Sequence, residues 1–223
     1  MTTFGKQVVR FHFDLQPDWD IPEPYELIYP FANHETREVF EAFYTKFYRD
    51  AGSRFFIFGI NPGRFGAGIT GVPFTDPIRL ETIAGIENPF LKKAELSSVF
   101  IYEAIKSIGG LKAFTNTYYI TSLCPLGFLK NGKNFNYYDA RDLQEAALPY
   151  IIDNVEKQMA FGANREKAFC LGMGKNHQFF EQLNDKYHWF GQIIALPHPR
   201  WVMQYRRKQL DHFIGEFKQA WPT

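Results

Sequence analysis

The chain has 223 residues and a formal net charge of +1; 45% of its residues are hydrophobic and 22% are charged. This composition excludes a disordered chain, and the near-zero charge excludes an overall basic field that would by itself indicate a nucleic-acid partner. The only two cysteines, Cys124 and Cys170, exclude an iron–sulfur cluster held by cysteines alone, a Cys-rich zinc module and a disulfide framework. Residues 1–15 lack the apolar core of a secretory signal, and the longest uncharged run, residues 113–129, is too polar to span a bilayer. We therefore expect a cytoplasmic protein that does not associate with membranes.

The N-terminal quarter contains a proline-rich stretch followed by a helical pattern. The prolines predict that residues 18–30 run extended over the surface. A helix is predicted over residues 33–49, with Asn33 as its N-cap. Its apolar positions have the spacing of one buried helix face and are Val39, Phe40, Phe43 and Phe47. We expect one domain over residues 1–223, with residues 1–50 as an N-terminal extension and helix packed on it.

Short apolar runs alternate with helical patterns through the rest of the chain. The predicted strands cover residues 55–60, 118–123, 168–171 and 192–196. The predicted helices cover residues 94–108, 139–161 (interrupted at Pro149), 175–187 and 205–221. This alternation predicts an α/β fold, a three-layer α/β/α sandwich around a central, mostly parallel four-stranded sheet. Since such sheets bind ligands beyond the carboxyl ends of their strands, the site is expected just after these four strands.

A glycine-rich segment, residues 59–68, follows the first predicted strand. In it Asn61 follows Ile60 and precedes Pro62 and Gly63, which hold the asparagine rigidly at the strand end. A neutral carboxamide can hold a water molecule or hydrogen-bond a polar heterocycle, but it cannot act as a strong base. An ordinary Asn-Pro-Gly turn is the alternative interpretation of this tripeptide taken alone.

Two aromatic side chains are further candidates. Phe74, in the second glycine-rich piece after Gly71, is a candidate platform for stacking on a planar base, with a place in the core as the alternative. His198 stands between Pro197 and Pro199, which limits its freedom, as a hydrogen-bonding catalyst requires. A capped structural imidazole is the alternative for His198.

Basic residues with apolar residues among them follow His198. The cations are Arg200, Arg206, Arg207 and Lys208, and the apolar residues among them are Trp201, Val202 and Met203. Cations that bind phosphates, interleaved with side chains that wedge between bases, are typical of nucleic-acid binding, whereas a solvated basic helix face is the alternative. Lys175 ends a Gly-Met-Gly-Lys segment that lacks the Walker spacing, so it either touches a DNA phosphate or starts a helix. The histidines and cysteines show no metal-ligand spacing, and we predict no metal.

Together these segments resemble the uracil-DNA glycosylase superfamily. Residues 59–63, Gly-Ile-Asn-Pro-Gly, look like the first active-site motif of its mismatch-specific and single-strand-selective branches. Residues 65–66, residues 70–74 and residues 123–126, Leu-Cys-Pro-Leu, are similar to the single-strand-selective monofunctional branch. Residues 198–199 open the second active-site motif. The chain departs from the pattern at Arg64, at Arg200-Trp201 in place of the usual Ser-Pro, and at Ser122, where that branch has asparagine.

The resemblance implies a monofunctional DNA glycosylase of base excision repair that hydrolyses the N-glycosidic bond of uracil in DNA, with no cofactor and no lysine nucleophile for strand cleavage. It implies that Asn61 holds the attacking water and that His198 donates to the base oxygen on which negative charge develops. The substrate-binding residues are expected to be Ile60, Pro62, Gly63, Gly71, Phe74 and Ser122. The DNA-binding residues are expected to be Lys175, Arg200, Trp201, Val202 and Met203.

Ser122 predicts a broader choice of base. A hydroxyl rotates its single donor to suit its partner, whereas a carboxamide enforces one edge pattern, so we expect removal of other deaminated bases such as xanthine. Two other classes compete with this hypothesis: a catalytically weak DNA-binding module that keeps the fold, and an unrelated nucleotide-metabolising enzyme, which the absence of phosphate motifs disfavours. We expect a monomer with no obligate protein partner.

Overall fold

The computed structural model of the chain describes residues 2–221. Its strands are β1 (Tyr25–Ile28), β2 (Arg54–Gly59), β3 (Tyr118–Ser122), β4 (Gly127–Lys130), β5 (Lys133–Phe135), β6 (Ala163–Leu171) and β7 (Ile193–Leu196). Its helices are α1 (Phe4–Asp14), α2 (His34–Phe47), α3 (Ala67–Thr70), α4 (Pro77–Thr82), α5 (Leu96–Ser107), α6 (Leu111–Thr117), α7 (Arg141–Met159), α8 (Lys175–Tyr187), α9 (Pro199–Tyr205) and α10 (Leu210–Ala220). Short 3₁₀ helices cover Pro30–Ala32 and Arg207–Gln209.

The central sheet contains the four predicted strands, in the order β3-β2-β6-β7, and all neighbours are parallel. Their carboxyl ends meet at one edge, where Gly59 pairs with Ser122 and Leu171 pairs with Leu196. The chain leaves β2 toward β3 on one side and leaves β6 toward β7 on the other. The crevice between the ends of β2 and β6 is therefore the topological switch point at which ligands of such sheets bind.

Helices cover both faces of this sheet, which confirms the predicted three-layer fold. On one face, the ring of Phe58 in β2 lies 4.8 Å from that of Phe180 in α8. On the other face, the ring of Tyr118 in β3 stacks at 5.3 Å on that of Phe114 in α6. Because successive residues of a strand point to opposite faces, aromatic residues along the strands supply the core of both layers.

The N-terminal residues are packed on the same core. Asn33 caps α2 as predicted, its side chain accepting a hydrogen bond from the Thr36 amide at 2.8 Å. No helix was predicted for residues 4–14, which form α1. Phe4 in α1 is fully buried, with its ring 5.1 Å from that of Tyr119 in the central sheet. Helix α1 therefore closes one layer of the sandwich.

Three predictions about secondary structure are corrected. Part of the segment predicted to run extended over the surface is β1, which pairs with β4 in a separate antiparallel sheet of order β1-β4-β5. Helix α7 continues through Pro149 without interruption. The helix predicted over residues 205–221 begins only at Leu210, as α10, because α9 ends at Tyr205 and a 3₁₀ helix follows it. No helix within residues 2–221 has both the length and the apolar character needed to cross a membrane.

Candidate active site

A cleft of about 900 Å³ opens at the carboxyl edge of the central sheet. It contains most of the predicted site residues, namely Ile60, Asn61, Pro62, Gly63, Phe74, Ser122, Lys175, His198, Arg200 and Trp201. The charged side chains that line it are the cations Arg64, Lys133, Lys175 and Arg200 and a single carboxylate, Glu95. The cleft is thus basic although the chain as a whole is nearly neutral, which suits a polyanionic ligand.

The carboxamide of Asn61 is held by the end of β5 and the residues just after it. Its Nδ2 donates to the carbonyl oxygen of Phe135 at 3.3 Å, and its Oδ1 accepts from the amide of Tyr137 at 3.2 Å. These two bonds fix which end of the carboxamide is oxygen. A carbonyl oxygen has two lone pairs, so Oδ1 can still accept a hydrogen bond from a water molecule in the cleft.

The imidazole of His198 is fixed in one tautomer. As the N-cap of α9, its Nδ1 accepts a hydrogen bond from the amide of Arg200 at 3.2 Å, which leaves the proton of the neutral ring on Nε2. Burial, followed by the positive charge of Arg200, lowers the pKa of His198 to about 4. The ring is therefore a neutral hydrogen-bond donor at physiological pH rather than an acid or a base.

Phe74 lies in the same cleft. Its ring centroid is 6.1 Å from that of His198, and its backbone has a φ of +52°. A Cβ on Gly59 would lie only 3.2 Å from Phe74 Cε2, so the absence of a side chain at residue 59 leaves room for the ring. Strand β2 therefore ends on a residue that makes space for an aromatic platform.

Gly71 does not line the cleft, contrary to its predicted role in substrate binding. It ends α3 with a φ of +73°, and a Cβ there would lie 2.6 Å from the ring of Phe31. Its contacts are with the core of the N-terminal layer. It shapes the turn that leads to Phe74.

Ser122 ends β3 beside Gly59 and lines the cleft. It is 9% exposed, and its hydroxyl makes no hydrogen bond to any of residues 2–221. A nearly buried hydroxyl directed at a cleft is available to donate to, or accept from, a polar ligand atom.

Helix α9 places the residues predicted to wedge into DNA on two different faces, one exposed and one buried. Trp201 is 41% exposed and Tyr205, one turn later on the same face, is 60% exposed; both line the cleft. Val202 and Met203 were predicted to contact DNA, and this is wrong, because both are buried in the core at 0% and 5% exposure. In a helix, consecutive residues point about 100° apart, so they cannot all face one ligand.

Several residues in the cleft or next to its lining carried no motif in the sequence. The hydroxyl of Tyr137 donates to Oδ1 of the buried Asn176 at 2.7 Å, so the segment that holds Asn61 is itself anchored to the start of α8. Asn134 and Met173 also line the cleft, and so does Glu95, whose pKa is raised chiefly by burial. None of these positions could be found from spacing, because each depends on contacts between distant segments.

The described part of the chain contains no group of three or more His, Cys, Asp or Glu residues that could hold a metal ion. Both cysteines are buried, and burial raises the pKa of each thiol above its ordinary value. They are therefore unreactive thiols in the core.

Comparisons with known proteins find one family model and one solved structure that match most of the chain. The family model of the uracil DNA glycosylase superfamily matches residues 45–222. A crystal structure of wild-type SMUG2 from Pedobacter heparinus is 43% identical in sequence to this chain, and the match covers 99% of this chain and 97% of that one, with a TM-score of 0.95.

Proposed function

The chain belongs to the uracil DNA glycosylase superfamily, in its single-strand-selective branch, and on this basis we propose that it is a monofunctional glycosylase that removes uracil and xanthine from DNA. The observation that carries the proposal is the placement of Asn61 and His198 in one basic cleft, each with its hydrogen-bonding atoms fixed by a backbone partner. We propose that it acts as a monomeric single domain without a cofactor.

The target nucleotide must leave its stack to reach the cleft. Extrusion costs roughly a few kcal/mol and costs least in single strands and mismatches. The extruded base stacks on Phe74, and the Ser122 hydroxyl hydrogen-bonds to its polar edge. Since this hydroxyl has no competing partner in the described chain, it can serve bases with different edge patterns.

Bond cleavage then relies on charge stabilisation. The N-glycosidic bond breaks with both electrons going to the base, which leaves as an anion, while the sugar develops oxocarbenium character. The Nε2–H of His198 donates to the base oxygen on which this negative charge collects. A neutral imidazole can do so without carrying a proton in from solution, in keeping with the lowered pKa of His198.

Water completes the reaction. Oδ1 of Asn61 accepts one hydrogen bond from the attacking water and orients its oxygen toward C1′ of the sugar. As the new C–O bond forms, the water loses one proton, and the departing base anion gains one. No amine of the protein becomes bonded to the sugar, so the product is an intact strand with an abasic site.

The test uses synthetic oligonucleotides, single-stranded and duplex, that each carry one uracil, xanthine or hypoxanthine. Each reaction is divided, and one half is heated in alkali to cleave abasic sites. We expect cleavage at uracil and at xanthine only in the heated half. Breaks in the unheated half would contradict a monofunctional enzyme. Tight DNA binding with no excision of any base would instead identify a DNA-binding module that has kept the fold.

A further inference from the structure

Three residues that the proposed mechanism does not use form a cluster on the rim of the cleft. Phe65 is 44% exposed, an unusual position for a phenylalanine. The guanidinium carbon of Arg64 lies 4.7 Å from the centroid of its ring, and Nζ of Lys93 lies 5.0 Å from the same centroid. The ring therefore holds two cations at one place on the surface.

Neither cation is neutralised. Within residues 2–221, no carboxylate forms an ion pair with Arg64 or Lys93. Both charges lie within 5.0 Å of the centroid of one ring, so their fields overlap on this part of the surface. Two like charges held this close without a counter-ion create a site that favours an anion.

The cluster is rigidly connected to the catalytic loop. Arg64 stands three residues after Asn61; its amide donates to Oδ1 of Asn134 at 3.0 Å, and its Nη1 donates to the carbonyl oxygen of Gly132. The remaining N–H groups of the guanidinium are free to bind a ligand. Arg64 and Phe65 both line the cleft, so an anion bound here would lie beside a nucleotide held in it.

We propose that Arg64, Phe65 and Lys93 bind a backbone phosphate of the DNA strand that carries the damaged base. The proposal rests on the proposed function, which brings that strand to the cleft. The ring of Phe65 keeps both cations in place by contact with them. Arg64 donates hydrogen bonds to the phosphate oxygens, and Lys93 adds a second positive charge. Phosphate contacts of this kind set the position of the strand without reading its sequence.

The experiment measures binding by fluorescence anisotropy to single-stranded and duplex oligonucleotides that carry a tetrahydrofuran abasic analogue, which the enzyme cannot cleave. Affinity is recorded at several potassium chloride concentrations for the wild type, Arg64→Gln, Lys93→Gln and Phe65→Leu. Lys186→Gln is the matched control, since its Nζ lies 5.1 Å from the ring of Tyr187. It lies about 16 Å along α8 from the end of that helix that lines the cleft.

Each lost phosphate contact should reduce the slope of log affinity against log salt by about 0.9 on duplex and about 0.7 on single strands. Between about 50 and about 200 mM salt, the wild type should therefore lose about threefold more affinity than Arg64→Gln or Lys93→Gln. Phe65→Leu should weaken binding several-fold at low salt, and Lys186→Gln should match the wild type.

Wild-type slopes for both Arg64→Gln and Lys93→Gln would overturn the proposal, even if Phe65→Leu weakened binding, because the ring would then be contacting a base. Excision by the wild type is measured in parallel to separate this result from the proposed function. If the wild type excises bases and the cluster variants have the same salt slope as the wild type, only the phosphate site is refuted. A wild type without excision whose salt slope still depends on the cluster refutes only the glycosylase assignment.

Discussion

The hydroxyl of Ser122 is a single polar atom where a carboxamide would make two directional hydrogen bonds. This hydroxyl forms no hydrogen bond within the described chain, so it is available to a ligand atom in the cleft. A site that bonds loosely to the base edge discriminates weakly, because a wrong base leaves few buried groups unpaired. Base choice in this enzyme is thus expected to depend on this residue.

Ser122→Asn should raise the ratio of the uracil to the xanthine excision rate by about tenfold, which is about 1.4 kcal/mol of discrimination. Rates on matched oligonucleotides under single-turnover conditions measure this ratio. Ser122→Ala is the control, and it should slow both reactions without shifting the ratio. An unchanged ratio in Ser122→Asn would show that another group selects the base.

Tyr137 acts on catalysis through the position of Asn61. Its amide holds Oδ1 of Asn61, and its hydroxyl anchors the same segment to Asn176. Tyr137→Phe should therefore lower the single-turnover rate by about tenfold with little change in DNA affinity, since small misplacements of a catalytic group are costly.

The matched control is Tyr48→Phe, which also loses a buried hydroxyl bond, to the carbonyl oxygen of Tyr118 at 3.1 Å, but Tyr48 makes no hydrogen bond to Asn61 or to the segment that holds it. Both variants should lose about 1 kcal/mol of stability in urea unfolding. Equal excision rates in the two variants would show that the Tyr137 hydroxyl serves only folding.

At the scale of elements, the short helix α9 has one face in the core and one face at the cleft. Its buried face packs through Val202 and Met203, and its exposed face presents Trp201 and Tyr205 at the cleft. The guanidinium of Arg206 lies 5.1 Å from the ring of Trp201, which adds a cation to this face. Such a face can fill the gap that an extruded base leaves in a duplex.

Trp201→Ala and Tyr205→Ala should therefore each lower the ratio of the duplex to the single-strand excision rate by about tenfold. The reason is that the base must be extruded from a paired stack only in the duplex. Paired time courses on the two substrates measure it. Ile83→Ala removes an apolar side chain that is 50% exposed and does not line the cleft, and it should have no effect. Equal slowing on both substrates would mean that α9 contributes packing alone.

Helix α1 makes the stability of the fold dependent on pH. Burial lowers the pKa of His12 from 6.5 to about 4. The unfolded chain therefore takes up a proton at a higher pH than the folded chain does, and stability that is present above about pH 6.5 is lost as the pH falls toward 4. The loss over this window is about 3 kcal/mol for this residue.

Urea unfolding at several pH values tests this, with His12→Leu expected to lose less stability than the wild type as the pH falls from about 6.5 toward 4. Part of the decline should remain in this variant, because burial also lowers the pKa of His198. His34→Gln changes an exposed histidine on α2 and should keep the full decline. A His12→Leu profile that coincides with the wild-type profile would show that α1 does not couple to pH.

For the whole molecule, the sequence predicts the elements whose stability is local and misses those held by distant partners. Helix α8 was predicted with both of its ends, because its apolar spacing is contained within it. Helix α1 has similar spacing in Phe4, Val8 and Phe11, but its place is set by the rings of Tyr48 and Tyr119. Strand β1 is short and pairs with β4 about a hundred residues later, so a distant partner decides its conformation. Strands β4 and β5 form a local hairpin, but they are only four and three residues long and give a weak pattern in the sequence.

The candidate site follows the same rule. Asn61, Phe74, Ser122 and His198 lie in the cleft as expected because each follows or faces the end of a parallel strand. His198 is oriented by a local bond from the amide of Arg200, whereas the bonds that orient Asn61 come from residues 135 and 137 and have no local signal. Val202 and Met203 were misplaced because the basic stretch was treated as a linear pattern, whereas a helix repeats every 3.6 residues and turns these two neighbours inward.

The most direct test of the central claim is single-turnover excision of uracil from a single-stranded oligonucleotide by the wild type, Asn61→Ala and His198→Ala, with binding to the abasic analogue measured for all three. If Asn61 orients the water and His198 stabilises the departing base, each variant should lose about 10²–10³ in rate while its DNA affinity stays within a few-fold of the wild type. Near wild-type rates in both variants, with binding intact, would contradict the account.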